Sequence, residues 1–245
     1  MSTVYTVNVG ANTNPDFLGL SGPIYPNGTF DYIPIPSRSK TRTTYRSIGL
    51  ESAFRRMGIS DKLDDGVHHC PEFETFTYGT YPTTRDNRNV SRLQDVRRRD
   101  WIFFVASLQR TRHEQMGSVF QDWIAEKRGM YFIGFFEITS VLKPETFDKR
   151  KNLEPFKGSP HFEWLRHIPE DQSYIFKGSR HSMLFPVAVP IRSDDIENLF
   201  QVERKPANLH ETSYVNSHTR PAREVLDVNH LRKMVKQYVP FFSFV

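Results

Sequence analysis

The stretch Trp101-Ile-Phe-Phe-Val-Ala-Ser-Leu108 is an unbroken apolar run of strand length with polar residues on both sides. Such a run is typical of a β-strand that is covered on both faces. A second run, Met130-Tyr-Phe-Ile-Gly-Phe-Phe-Glu-Ile-Thr-Ser-Val-Leu142, follows after a polar excursion, and Gly134 predicts a bend or bulge within it. The two runs predict neighbouring strands of one curved, mostly antiparallel sheet, in a fold of the α+β class.

Weaker patterns flank these two runs. Residues 4–9 are rich in β-branched side chains and predict a first strand. Asn27-Gly28 predicts a tight two-residue turn. Residues 40–58 become helical towards their end, and residues 174–191 predict two short strands joined by a Gly-Ser-Arg turn.

The clearest helical pattern covers residues 219–239. Its apolar side chains recur at helical spacing, and Pro221 is predicted to lie in the first turn of this C-terminal helix.

The composition limits the kind of protein this is. With 245 residues, of which 38% are hydrophobic, the chain can bury one sizeable core, so one domain over residues 1–245 is expected. The net charge of +5 permits an anionic partner without requiring one. Because Cys70 is the single cysteine, an intramolecular disulfide is excluded. No apolar stretch reaches membrane-spanning length, so we expect a cytoplasmic protein without a membrane partner.

The segment from His68 to Gly79 reads His-His-Cys-Pro-Glu-Phe-Glu-Thr-Phe-Thr-Tyr-Gly. Acids, hydroxyls and rings alternate in it, which is unlike an ordinary buried strand. Pro71 removes a backbone donor at its start, and Gly79 is expected to permit a turn at its end. Two interpretations stay open, because such side chains either converge on a ligand or hydrogen-bond a structural loop.

A basic run follows this segment directly. It contains two aspartates, Asp86 and Asp95, against six arginines: Arg85, Arg88, Arg92, Arg97, Arg98 and Arg99. The arginines are candidates for binding the phosphates of a nucleic acid. The alternative is a solvated face without a partner.

A base-binding site is one hypothesis that these residues support. A base outside its stack is held by ring or guanidinium planes, by hydrogen bonds to its edge and by cations on the flanking phosphates. The candidates for the base edge are Glu72, Glu74, Thr77 and Tyr78, and those for a stacking face are Trp101, Trp123 and Trp164. Each tryptophan has the alternative of being a core residue.

An enzyme is the competing hypothesis. Polar residues predicted at strand ends or in turns are Asn12, Glu72, Glu74, His161, Ser179 and Arg180. Glu72, Glu74 and His161 are candidates for general acid–base catalysis. Asn12 and Ser179 are candidate ligand contacts, and Arg180 with the backbone of residues 178–179 is a candidate phosphate site.

No metal site is predicted, and the sequence identifies no cofactor. His68, His69, Cys70 and Glu72 are suitable ligands, but neighbouring side chains of an extended chain point to opposite faces, and no second cluster has regular spacing. Cys70 beside His69 does not predict a nucleophile, since sequence adjacency does not supply the spatial pairing that a thiolate needs.

Several of these motifs together resemble a known family. They are Gly22-Pro-Ile-Tyr, Ile33-Pro-Ile-Pro, Pro71-Glu-Phe-Glu-Thr-Phe-Thr-Tyr-Gly, Asp100-Trp-Ile-Phe-Phe, Tyr131-Phe-Ile-Gly-Phe-Phe, Ser159-Pro-His-Phe and Phe176-Lys-Gly-Ser-Arg. Their order is similar to that of the nucleotide modification associated domain 3 family, over nearly the whole chain. The resemblance implies a link with prokaryotic or viral systems that modify nucleic-acid bases, without implying one activity. The family motif has an aspartate where this chain has Cys70, and a catalytic role for that aspartate would imply impaired catalysis here.

A shorter resemblance concerns the fold. An apolar strand that opens with an acid, a polar excursion, and a strand with an Ile-Gly-x-x-x-Ile pattern are similar to PUA-like barrels, whose relatives read modified bases. This resemblance implies a curved sheet that closes into a barrel.

The sequence therefore favours a nucleic-acid-associated protein that recognises a modified base or nucleotide in a prokaryotic or viral DNA-modification system. DNA is expected in preference to RNA. The alternative is a base- or nucleotide-modifying transferase or hydrolase that uses Glu72, Glu74 and His161. In a third class, a purely structural protein, the arginine run would face another protein.

Overall fold

The computed structural model describes residues 2–10, 21–37, 41, 43–80, 93–110, 128–147, 151–162, 173–200 and 222–243. The longer α-helices in these ranges are α1 (Glu51–Met57), α2 (Ser193–Phe200) and α3 (Val228–Tyr238). Four single-turn 3-10 helices accompany them in the same ranges: Ser60–Lys62, Leu93–Asp95, Pro144–Thr146 and Glu154–Phe156. The strands are β1 (Val4–Val9), β2 (Gly22–Ile24), β3 (Ile35–Pro36), β4 (Val67–His68), β5 (Thr77–Gly79), β6 (Trp101–Arg110), β7 (Arg128–Leu142), β8 (Ile175–Gly178), β9 (Met183–Pro190) and β10 (Arg223–Glu224).

Strands β6 and β7 form the centre of the main sheet, as their apolar runs predict. They pair with each other in antiparallel fashion, and β6 also pairs with β1 in parallel. Successive side chains of β6 enter different cores: Ile102 and Phe104 pack on one face, and Trp101 and Phe103 on the other. Because both faces of β6 are covered, polar and apolar residues do not alternate along it.

The sheet is mixed but mostly antiparallel, which confirms the predicted α+β class. Its strand order is β10-β1-β6-β7-β8-β5, with β2 added beside β6 and β9 beside β7. The pairs β1–β6 and β2–β6 are parallel, and the other pairs of this sheet are antiparallel. Among the described strands, β10 and β5 end the order without pairing with each other, so the expectation of a closed PUA-like barrel is wrong.

Gly134 lies where the strand register changes, as predicted. The pairing of β7 with β9 shifts between Phe132 and Gly134. A Cβ atom on Gly134 would lie 2.4 Å from the carbonyl oxygen of Met183 and 2.7 Å from Cε1 of Phe73. The glycine therefore admits a close approach of both strand and side chain.

The C-terminal helix is shorter than the pattern predicts. Helix α3 begins at Val228, because the Asp227 side chain accepts a hydrogen bond from the backbone N–H of His230 at 2.8 Å and caps the helix. The preceding residues Arg223 and Glu224 are extended and pair with β1. The expectation that the helix already covers residues 223–227 is therefore wrong, and Pro221 lies outside the described residues. Residues 222–226 have apolar side chains at helical spacing, but they form an edge strand and a loop.

The smaller elements follow the local patterns. The backbone N–H of Gly28 donates to the Tyr25 carbonyl at 2.9 Å, and Gly28 has a φ of 83°, so a turn is present where it was predicted. Its loop has three residues, 26–28, and not two, because Tyr25 also donates to the Thr29 carbonyl at 2.9 Å. Helix α1 falls at the end of the predicted helical segment, and β8 and β9 are joined by the predicted Gly-Ser-Arg turn. No helix of the described residues combines the length and apolar character needed to cross a membrane. One domain over residues 1–245 stays a prediction.

Candidate functional site

The turn between Glu72 and Thr77 closes on itself. The backbone of Glu72 and Thr77 exchanges two hydrogen bonds of 2.9 and 3.0 Å. One carboxylate oxygen of Glu72 accepts from the N–H of Glu74 at 2.7 Å, and the other accepts from the N–H of Thr75 at 2.5 Å. Glu72 is 8% exposed, so its charge is satisfied mainly by the backbone of its own turn.

Rings fasten this turn to the sheet. Phe73 meets Phe104 and Phe136 edge to face, at centroid distances of 5.6 and 5.3 Å. Phe76 meets Phe136 in the same way at 5.9 Å. The Lys177 ammonium group donates to the Thr75 carbonyl, which ties the turn to β8. The rings and the polar groups of this segment therefore have different roles. The rings pack against the core, and the polar groups hydrogen-bond the loop.

The other predicted side chains of this segment lie in two environments. Glu74 is exposed. Thr77 is fully buried, with its hydroxyl oxygen 3.0 Å from that of Thr75. Tyr78 is buried between Phe104, at 5.2 Å, and Phe176, on which it stacks at 6.1 Å. The side chains of Glu72, Glu74 and Tyr78 therefore do not point into one shared site.

His161 comes from a distant segment and lies against His68. The two Nε2 atoms are 3.0 Å apart, and the rings meet edge to face at a centroid distance of 4.6 Å. His68 is 4% exposed and His161 1%. Burial, with a smaller contribution from His69, lowers the pKa of His68 to about 4. Burial, and then the His68 charge, lowers the pKa of His161 well below its usual value. Both imidazoles are therefore neutral near pH 7.

Cys70 is the third member of this buried group. Its sulfur, one ring nitrogen of His68 and one of His161 all lie within 4.8 Å of one another. The sulfur accepts a hydrogen bond from the N–H of Gly79 at 3.2 Å. Burial raises the pKa of the Cys70 thiol to about 12. We call His68, Cys70 and His161 the His-Cys-His cluster.

Residues Ser179 and Arg180 lie in the turn between β8 and β9. The Ser179 hydroxyl donates to the Glu137 carboxylate at 2.6 Å, and the Ser179 N–H donates to the Glu137 carbonyl at 2.7 Å. The Gly178 N–H donates to the Phe76 carbonyl at 2.8 Å. Both amides suggested for a phosphate site are therefore used within the fold, whereas Arg180 is exposed.

Three residues of the basic run lie just before β6. Arg97, Arg98 and Arg99 are exposed. Their backbone is held by Asp100, whose carboxylate accepts from the N–H of Arg97 at 2.7 Å and from the N–H of Thr3 at 2.9 Å. The other members, Arg85, Arg88 and Arg92, lie outside the described residues, as do Asn12, Trp123 and Trp164.

These arginines and Arg180 lie on opposite sides of strand β7. The Arg99 N–H donates to the Ile138 carbonyl at 2.7 Å, and on the other side Ser179 donates to Glu137. Since neighbouring strands lie about 4.8 Å apart, the two backbones are about 10 Å apart across β7. We call Arg97, Arg98, Arg99 and Arg180 the guanidinium edge.

Sequence reasoning missed the structural use of Asp100, and it left the uses of Trp101 and Glu72 open between two interpretations. Asp100 holds the arginine turn, and the signal for this was an acid placed directly before a buried strand. Trp101 is 2% exposed and stacks on Phe135 at 5.0 Å, so it is a core residue and not a face for a base. Glu72 caps its own turn, which matches the structural-loop interpretation of this segment.

Comparison with known proteins agrees with the motif order. A family model described as nucleotide modification associated domain 3 matches residues 3–233. Because this match covers most of the chain, the protein belongs to the nucleotide modification associated domain 3 family, which confirms the resemblance. The family description links the chain to nucleotide modification. No match was found among curated proteins or solved structures.

Proposed function

We propose that this chain is a nucleic-acid-associated protein that recognises a modified base or nucleotide in a prokaryotic or viral modification system, with DNA preferred to RNA. The family description supports the link with nucleotide modification. The observation that carries the binding role is the guanidinium edge, where exposed arginines flank β7 on both sides.

The chemistry of this edge suits phosphates. Guanidinium groups bind phosphate oxygens through two parallel hydrogen bonds and remain charged at any working pH. Phosphates of one DNA strand follow each other at about 3.4 Å along the helix axis, so an edge of about 10 Å faces about three of them. Binding at this edge is expected to be electrostatic and therefore sensitive to salt.

Two features make the edge a better candidate than a solvated face. The backbone of Arg97 and Arg99 is hydrogen-bonded to Asp100 and Ile138, so less conformational freedom is lost on binding. Three acids lie close to these four arginines: Asp100 is 7% exposed and accepts two amides, Glu137 accepts from Ser179, and Asp95 is exposed. Their charges offset only part of the arginine field.

The enzymatic alternative has weaker support. Catalysis by Glu72 would need a carboxylate that is available to a substrate, and both oxygens of Glu72 accept backbone hydrogen bonds. Glu74 is exposed, whereas His161 is buried against His68. The three proposed acid–base groups thus lie in three different environments.

The test is a measurement of binding to labelled oligonucleotides, unmodified and base-modified, over a series of salt concentrations. The variant pair Arg97→Gln with Arg98→Gln removes two charges from the edge. The matched control, Lys233→Gln with Lys236→Gln, removes two exposed charges from α3. We expect the arginine variant to bind more weakly and to lower the slope of log affinity against log salt by about 1.4 to 1.8.

The control variant should bind as the wild type does. Tighter binding of a modified oligonucleotide than of its unmodified copy would support the recognition role. Absence of binding, a flat salt dependence, or equal losses in both double variants would reject the proposal. A mass change in the oligonucleotide that disappears in Glu72→Gln, while circular dichroism shows that the variant is still folded, would favour the enzyme instead.

A further inference from the structure

Three side chains that commonly bind metals meet inside the fold although they come from two distant segments. His68 ends strand β4, Cys70 follows two residues later, and His161 lies 93 positions beyond His68. All three residues are buried, at 4%, 7% and 1% exposure. One ligand atom from each lies within 4.8 Å of the other two.

We infer that the His-Cys-His cluster binds one transition-metal ion of the zinc class, through the sulfur of Cys70 and one ring nitrogen each of His68 and His161. Imidazole and thiolate ligands together select zinc and its chemical neighbours over Mg²⁺ or Ca²⁺, which prefer oxygen. The proposed metal site is separate from the guanidinium edge and shares no residue with it.

The separation of the two ring nitrogens is close to that of two ligands of a tetrahedral ion. With zinc–nitrogen bonds of about 2.0 to 2.1 Å, two nitrogen ligands of a tetrahedral ion lie about 3.3 Å apart. The Nε2 atoms of His68 and His161 are 3.0 Å apart, so a small opening of the pair would admit the ion. Zinc–sulfur bonds are longer, about 2.3 Å, which places a sulfur and a nitrogen ligand of a tetrahedral ion about 3.6 Å apart. The Cys70 sulfur lies within 4.8 Å of both nitrogens, so it would move towards the ion by up to about 1 Å.

A hydrogen bond between the two imidazoles is the competing explanation. Only one of the facing nitrogens can carry a proton, and the other then accepts it. In that account Cys70 serves only to hold β5, since its thiol donates to the Gly79 carbonyl at 3.5 Å and accepts from the Gly79 N–H, and its position beside the two imidazoles is not explained. A shared metal ion explains why all three ligand atoms converge.

The sulfur also has a partner that suits a bound thiolate. The N–H of Gly79 donates to Sγ of Cys70 at 3.2 Å, and such outer hydrogen bonds orient metal ligands and stabilise their charge. Because a metal binds the thiolate form of cysteine, uptake of a dication would release the thiol proton.

The sequence predicted no metal site because neighbouring ligands of an extended chain point to opposite faces and because no second cluster has regular spacing. The chain turns at His69, where the N–H of Cys70 donates to the His68 carbonyl at 2.9 Å, so the alternation of an extended chain does not apply here, and His161 adds a third ligand from a distant segment. Within the described residues the group has three ligands, so a tetrahedral ion would take a fourth from water or from a bound molecule.

The experiment uses the full chain without nucleic acid, so its result is independent of the proposed binding function. Protein treated with a chelator is titrated with Co²⁺ and then with Zn²⁺. We expect one Co²⁺ per chain with a thiolate-to-cobalt charge-transfer band, and displacement of that ion by Zn²⁺. Cys70→Ser should lose the band and bind Zn²⁺ at least about 100-fold more weakly.

His181→Gln is the matched control, because His181 is exposed and lies outside the cluster. This variant should keep the band and the affinity of the wild type. His161→Asn removes a second ligand and should also weaken metal binding. If His161→Asn does not fold, the comparison of Cys70→Ser with wild type is sufficient to decide. Wild type without stoichiometric metal binding, or binding equal in wild type and Cys70→Ser, would overturn the inference.

Discussion

Gly79 lies directly against the ring of His161. A Cβ atom at position 79 would be 2.2 Å from Cδ2 of that ring and 2.4 Å from Cγ. The sequence predicted a turn at Gly79, but the residue belongs to β5 and pairs with Ile175. Glycine is needed here because a side chain would overlap the His161 ring, and not because of backbone conformation. The contact limits where the ring of His161 can lie in the His-Cys-His cluster.

The variant Gly79→Ala should therefore destabilise the fold and disturb the cluster together. The added methyl group meets a fully buried ring, and overpacking of this kind costs about 1–3 kcal/mol. Urea unfolding followed by circular dichroism measures the loss, and cobalt titration measures the cluster.

Gly58→Ala provides the control for Gly79→Ala. Gly58 has a φ of 72° with no neighbouring atom within 4 Å of an added Cβ, so alanine there costs about 1–2 kcal/mol of backbone strain without touching the cluster. Metal uptake should be lost in Gly79→Ala only. Wild-type stability in Gly79→Ala would contradict the close contact.

The carboxylate of Glu72 should be a stability determinant. Glu72→Gln replaces one acceptor oxygen by an NH₂ group, which then faces a backbone N–H of Glu74 or Thr75. A buried donor without an acceptor costs about 1–3 kcal/mol, or about 2–4 °C in melting temperature for each kcal/mol. Glu74→Gln changes an exposed residue and should stay within about 0.5 kcal/mol of wild type. Equal melting temperatures for the two variants would show that Glu72 does not hold the turn.

The central strands were predictable because their signal is local. An unbroken apolar run that includes Phe103 and Phe104 has one stable environment, a strand covered on both faces. The turn at Asn27-Gly28 was predictable for the same reason, since a tight turn depends on its own residues. The start of α3 was mispredicted although Asp227, a good N-cap, was visible in the sequence.

The candidate sites were less predictable because they depend on contacts between distant residues. Nothing near His68 indicates that His161 would lie 3.0 Å away, and no spacing rule covers a separation of 93 residues. The use of Glu72 was equally hidden, because a carboxylate that binds a substrate and one that caps its own turn look alike in a sequence. The arginines were visible as charge, but their placement across β7 from Arg180 required the strand order.

Asp100 should affect nucleic-acid binding through the backbone of the arginine turn. In Asp100→Asn one of the amides of Thr3 and Arg97 loses its acceptor, so the turn loosens. Removal of a negative charge alone would strengthen binding to phosphates. We expect weaker binding instead, by about 2- to 10-fold. This factor corresponds to the free energy that is lost when one additional side chain must be ordered on binding.

Asp95→Asn separates these two effects. It makes the same change of charge at an exposed residue close in sequence, without removing an acceptor from the arginine turn. Oligonucleotide affinity should be unchanged or slightly higher in this variant. An affinity gain of the same size in Asp100→Asn and Asp95→Asn would mean that Asp100 acts by charge alone.

Tyr45 should make the fold sensitive to alkaline pH. Its side chain is fully buried beside Phe54 and donates to the Pro34 carbonyl at 3.0 Å. Burial, and then the Asp65 charge, raises the pKa of Tyr45 above its usual value near 10. The folded state thus holds this proton more tightly than the unfolded state. Its contribution to stability is complete below the unfolded pKa and is lost as pH rises through the folded pKa.

Tyr45→Phe should therefore lower stability near neutral pH by about 1 kcal/mol, because a buried hydrogen bond is lost. It should also make the alkaline decline shallower by up to about 1.4 kcal/mol per pH unit, the value for one proton. Urea unfolding at a series of pH values from roughly 9 to 11 measures both effects. Tyr174→Phe removes a half-buried hydroxyl and should change the slope less. Parallel declines of wild type and Tyr45→Phe would show that the proton on Tyr45 is not the one that the folded state retains.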